Sequence, residues 1–121
     1  MKKRRYDMQD RNYINKFSVA GIDISEYRIV YGSGDEYAAS ELQAFIEKAC
    51  GIRLQKLKYR KKSSNEIRIG RVGETEKVTK AVDALGDDGY AIIFDEAALF
   101  ITGKDHSGVL YGVYTFIEDK L

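Results

Sequence analysis

Asp88-Gly89-Tyr90-Ala91-Ile92 and Leu99-Phe100-Ile101-Thr102-Gly103, then Lys104-Asp105-His106-Ser107-Gly108-Val109-Leu110-Tyr111-Gly112-Val113-Tyr114-Thr115-Phe116-Ile117, decide how this chain folds. Residues 90–94 and 99–102 are β-rich runs separated by Asp95-Glu96-Ala97-Ala98, which predicts a hairpin with a short loop. Beyond the hairpin, Leu110, Val113, Tyr114, Ile117 and Leu121 recur at helical spacing, and Asp105 or Ser107 can cap the helix start.

Upstream, the patterns alternate in kind. Val78, Ala81, Val82 and Leu85 line one face of a predicted helix over residues 74–85, with Gly86 at its stop. Glu66-Ile67-Arg68-Ile69-Gly70 reads as a short strand after a polar turn at residues 60–65, and residues 52–59 as another strand. Ala38, Leu42, Phe45, Ile46 and Ala49 mark a first helix that Ser33 or Asp35 can cap and Gly51 can end. Tyr27-Arg28-Ile29-Val30-Tyr31 is a β-rich run preceded by Phe17, Val19, Ile22 and Ile24. Residues 1–15 are polar and aperiodic and read as a disordered tail or linker, with a basic arm as the sharper alternative. The expected fold is α/β (α+β): one domain over residues 16–121, a single mixed sheet of about five strands with helices packed on one face.

The bulk numbers narrow the function classes. A chain of 121 residues is one ordinary domain and buries roughly two-thirds of its unfolded surface. Twenty basic against 19 acidic residues leave a net charge of +1, which offers no whole-domain field for nucleic acid or an acidic membrane. Cys50 is the only cysteine, so no internal disulfide forms. No apolar run approaches the roughly 18 to 20 residues of a membrane span. Met1-Lys2-Lys3-Arg4-Arg5 is not followed by an apolar core, so no export signal is read. The chain is expected in the cytoplasm if complete and outside the cell if it is a fragment of a secreted protein.

The "DGY" strand, the "ITG" strand and the "GxLYGVYTF" helix, in that order, resemble the N-terminal non-catalytic α/β domain of glycoside hydrolases. The families concerned are the β-N-acetylhexosaminidases, α-glucuronidases and O-GlcNAc hydrolases. Residues 24–31, 39–57 and the Asn65-Glu66-Ile67-Arg68-Ile69-Gly70 strand agree more loosely, so the resemblance runs over about residues 17–121. It implies a helix-covered mixed sheet lying beside a C-terminal (β/α)8 barrel that carries the catalytic carboxylates. Its motif residues are Gly89, Tyr90, Gly103, Gly108, Tyr111 and Gly112, to which packing roles are assigned. Gly108 permits close approach at the helix start. Gly112 sits inside the helix at about 1 kcal/mol against alanine. Tyr111 can bury its ring while its hydroxyl finds a partner.

No catalytic, metal or cofactor residue is expected. The acid pairs Asp87-Asp88, Asp95-Glu96 and Glu118-Asp119 fall on turns or a helix end, where solvated carboxylates are ordinary. His106 is the only histidine; with Cys50 it gives no metal-ligand spacing, and packing outweighs a Cys50–His106 nucleophile pair. Gly32-Ser33-Gly34 lacks the third glycine of a dinucleotide loop, since Tyr37 stands there. Gly70-Arg71-Val72-Gly73 matches the GXXG of KH domains, but it follows a strand pattern rather than a helix. Nine tyrosines and five phenylalanines leave room for a sugar-stacking surface, though tryptophan is absent. The chain is therefore expected to be an accessory domain packed on a barrel of the same parent protein. The alternative is a free-standing carbohydrate- or protein-binding module.

Overall fold

The computed structural model describes residues 17–120; the tail assigned to residues 1–15 and the last apolar position, Leu121, lie outside them. The hairpin forms as β6 (Tyr90–Asp95) and β7 (Ala98–Gly103), paired antiparallel from Tyr90↔Gly103 to Asp95↔Ala98. Glu96 and Ala97 make the turn with φ of 49° and 62°. Two positive φ values give the primed turn whose twist suits the flanking strands, although neither residue is glycine.

Before it come β1 (Ser18–Val19), β2 (Ile22–Asp23), a 3-10 turn (Ile24–Glu26), β3 (Arg28–Tyr31), α1 (Glu36–Cys50), β4 (Lys56–Lys58), β5 (Glu66–Ile69) and α2 (Glu76–Asp83). After it comes α3 (His106–Lys120). The main sheet has the order β4-β3-β5-β7-β6, with only β6 antiparallel. β1 and β2 form a separate small hairpin. The fold is α+β with a mixed five-stranded sheet and three helices, as the patterns predict. Gly51 ends α1 in the left-handed region at φ 74°. The strand expected over residues 52–59 shrinks to β4, because residues 52–55 carry the chain back to the sheet.

The helices divide over both faces of the sheet. α1 and α3 lay Leu42, Ile46, Val109 and Val113 on Ile29, Ile67, Ile69, Leu99 and Ile101. α2 lays Val78 and Val82 on Ala98 and Phe100, on the opposite face. The expectation of helices on one face thus misplaces α2. The physical reason is β7: both of its alternating faces are apolar, and all six residues are buried. α3 is also rotated from the expected stripe. Val109, Val113 and Phe116 are buried, whereas Tyr114 is 37% exposed.

Beside α2, on the same face, lies a buried ion pair. Arg68 Nε donates to Glu66 Oε1 at 2.9 Å, and both side chains are 3% exposed. Arg68 also donates Nη1 to the Gly73 carbonyl and Nη2 to the Ser63 carbonyl. Its guanidinium lies over the rings of Tyr59 and Phe100. Each of the three guanidinium nitrogens thereby has a hydrogen-bond partner, which is what makes the burial of this cation tolerable.

Candidate functional site

Four of the motif glycines gather where α3 leaves the hairpin. A Cβ on Gly108 would stand 2.2 Å from the Gly89 carbonyl oxygen, and one on Gly103 would stand 2.7 Å from Gly108 C and Val109 N. Lys104 N donates to the same Gly89 oxygen at 2.9 Å. One turn on, a Cβ on Gly112 would meet Ile101 Cγ2 at 3.1 Å and Tyr90 Cβ at 3.2 Å. Thr115 Oγ1 donates to the Tyr90 hydroxyl at 3.1 Å. Asp105 fastens the junction: its Oδ1 accepts from Gly108 N at 2.8 Å and its Oδ2 from Asp88 N at 3.1 Å. Those backbone donors hold the Asp105 carboxyl below its usual range. Tyr111 departs from its expected place. It is 50% exposed rather than buried, on the outer side of α3.

The parallel strands β3, β5 and β7 end together, and a crevice of about 350 Å3 opens there. Ser33 and Asp35 reach it from β3, Arg71 from β5, and Lys104, Asp105 and His106 from β7. Asp35 Oδ1 and His106 Nδ1 lie 2.8 Å apart across 71 positions of sequence. Asp35 is buried while the His106 side chain is 69% exposed. Burial raises the Asp35 carboxyl, and the hydrogen bond from His106 pulls it partly back. The Asp35 side chain was a candidate cap for α1, but it makes no capping bond and turns to His106 instead. A Cβ on Gly34 would stand 2.7 Å from His106 Cε1, so the ring rests on bare backbone. No spacing in the sequence announces this pair.

Cys50 and His106 do not meet. Cys50 ends α1, whose first turn adjoins Asp35, and at 1.5 Å per residue the helix separates them by about 20 Å. Burial, helped by Asp23, pushes the Cys50 thiol up to about 11. Gly70-Arg71-Val72-Gly73 joins β5 to α2, a strand-to-helix loop. Among the described residues, no group of three or more His, Cys, Asp or Glu side chains is placed to hold a metal ion. None of the described helices is long and apolar enough to cross a membrane.

Two further surfaces stand out. On the outer side of α1 and α3, Tyr37, Tyr111 and Tyr114 are 62%, 50% and 37% exposed. Tyr114 donates its hydroxyl to Glu41 Oε1 at 3.1 Å. Its hydrogen bond with Tyr37, then desolvation and the bond to Glu41, push the phenol up to about 12. On the α2 face, where none of the described helices covers β3 and β4, Val30 and Leu57 floor a concavity of about 850 Å3. Lys58, Arg60, Lys61 and Lys62 rim it.

A five-stranded mixed sheet between helices, with glycines locking its last helix to the hairpin, defines a small α+β domain. Residues 18–116 match the family model described as glycosyl hydrolase family 67 N-terminus. The chain belongs to that family, the N-terminal domain of a glycoside hydrolase, and an accessory, non-catalytic role fits it. No curated protein matches the chain.

Proposed function

We propose that this chain is the non-catalytic accessory domain of a family 67 type glycoside hydrolase and that it packs against a C-terminal catalytic barrel through the tyrosine face of α1 and α3. The family match over residues 18–116 carries the first part. The second part is supported by Tyr37, Tyr111 and Tyr114, which stand exposed side by side on two helices whose other faces are already used in the core. Tyrosines offer large area at low entropy cost and are enriched at interfaces. In a parent enzyme carrying the barrel, Tyr37→Ser with Tyr111→Ser is expected to split the single thermal transition into two. The isolated domain's own melting temperature should stay nearly unchanged. A parent enzyme that still melts in one unshifted transition would overturn the docking face.

The same exposed tyrosines support a second reading, a free-standing module that binds carbohydrate or another protein. Titration with GlcNAc oligomers and glucuronoxylan fragments, read by amide shifts, separates the two. Saturable shifts centred on Tyr37 and Tyr111 favour the module, and silence favours the scaffold. Turnover of chromogenic glycosides by the purified chain would contradict both.

A further inference from the structure

We propose that the crevice at the ends of β3, β5 and β7 is a binding site for a small molecule bearing a carboxylate or phosphate group, held by His106, Arg71 and Lys104. This site is separate from the tyrosine face and does not depend on the docking proposal. β3 and β5 are adjacent and parallel, yet α1 leaves β3 toward one face of the sheet and α2 leaves β5 toward the other. Neighbouring connections that part in this way open a cleft beyond the carboxyl ends of the strands, which is where open α/β sheets take ligands. The crevice of about 350 Å3 lies at that switch.

The ligand class follows from which hydrogen-bonding groups are already engaged. The two carboxylates at the crevice are engaged by donors of the chain itself: the buried Asp35 through Oδ1 by His106 Nδ1, and the exposed Asp105 through both oxygens by backbone N–H groups. Among the described residues the donors are less committed. With Nδ1 donating to Asp35, His106 presents Nε2 from an exposed ring, and Nε2 donates when the ring carries its second proton, hence the mildly acidic conditions of the test. Arg71 engages Nε and Nη2 with Glu74, and Nη2 with Asp83, which leaves Nη1. Lys104 Nζ makes only a 3.4 Å contact with the Asp83 carbonyl. Donors on cationic side chains around acceptors already in use suit a guest rich in acceptors and negatively charged. Glu74 and Asp83 together outweigh the single Arg71 charge, and Asp35 and Asp105 also line the crevice, so binding is expected to be weak. Asp35 touches no ligand; it is a positioning residue for the imidazole.

The test titrates the isotope-labelled chain with sodium phosphate and, separately, sodium acetate at mildly acidic pH and constant ionic strength, against sodium chloride. Saturable shifts are expected at the Ser33, Arg71 and Lys104 amides and the His106 ring. His106→Gln and Arg71→Met should each weaken binding about ten-fold, as loss of one charge-assisted hydrogen bond implies. Lys61→Met, in the distant basic turn, should leave it unchanged. Saturation by phosphate alone assigns a phosphoryl ligand, by acetate alone a carboxylate, and by both the shared chemistry. Shifts no different from chloride would overturn the site. So would saturable shifts centred on residues 58–62 that survive His106→Gln. If His106→Gln does not fold, Lys104→Met on the exposed rim replaces it.

Discussion

Gly108 and Gly89 meet backbone to backbone: there is no room for a methyl group between the first turn of α3 and the strand entering the hairpin. Gly108→Ala gains helix propensity of about 1 kcal/mol but drives a Cβ into the Gly89 carbonyl. Relaxing such an overlap costs typically 1–3 kcal/mol and occasionally more. Because the obstacle is backbone, the upper end of that range applies, and a net loss of about 2 kcal/mol, or roughly 10 °C in Tm for a domain of this size, is expected. Gly86→Ala is the control, because a Cβ there meets nothing within 4 Å and the site lacks a positive φ. It should be neutral or gain up to about 1 kcal/mol. Equal losses at both positions would show that the close contact is not what matters.

Arg68→Met should cost about 3 kcal/mol, the lower end for a broken buried pair, because Glu66 Oε1 loses its buried cation and only the part-exposed Arg28, 3.5 Å from Oε2, remains. The double variant Glu66→Gln with Arg68→Met removes that under-compensated charge and should recover much of the loss. Urea midpoints of the single and double variants give the coupling directly. A double variant no better than Arg68→Met alone would mean that the cation's bonds to Ser63 and Gly73, rather than the ion pair, carry the stability.

Acid stability divides by sign. The Glu74 carboxyl is lowered by Arg71, and that of Asp105 by backbone N–H groups, so their contributions are present above the ordinary carboxylate range and lost as pH falls through it. Asp35 is raised by burial, so the folded state binds its proton more readily and stability falls as pH rises through its titration. It partly opposes the other two on acidification. Asp35→Asn removes that opposition, and the variant should lose stability more steeply between neutral pH and the carboxylate range. Thermal midpoints measured across that window decide it. A shallower slope than wild type would contradict the assigned direction.

The hairpin turn holds Glu96 and Ala97 in the left-handed region, which costs an L-residue roughly 1–2 kcal/mol. Ala97→Gly relieves this at the second turn position and should stabilise the domain by about 1 kcal/mol, less the added freedom of the unfolded chain. Differential scanning calorimetry of the two proteins is the check. A lowered Tm would show that Ala97 fits its place better than its φ suggests.

How far the sequence foretold this structure varies from element to element. The hairpin and α3 were legible because period-two and helical patterns, a cap at Asp105 and turn residues agreed with one another. The seat of α2 was not read, although Ala98-Leu99-Phe100-Ile101-Thr102 carried the signal: a strand apolar on both faces needs cover on both. Glu66 and Arg68 alternate with Ile67 and Ile69, a pattern that by itself puts charged residues on a solvent face. Their burial became visible only once each found the other, because pairing between side chains leaves no periodic trace. The Asp35–His106 pair was illegible for a related reason: 71 positions of sequence separate partners that the sheet brings to 2.8 Å. Val109 faces inward and Tyr111 outward because the glycine edge of α3 turns the helix toward β7.

The strand order carries a consequence for how the chain assembles. β3 lies between β4 and β5, and β5 has β7 on its other side, so the central ladders join stretches far apart in sequence. During synthesis β5 lacks its second neighbour until the closing hairpin leaves the ribosome, and α1 lacks its packing partner until α3 follows. Pairings that wait on distant segments form slowly. A nascent chain arrested before His106 should therefore remain open to protease, and protection should arrive late and all at once rather than growing with length.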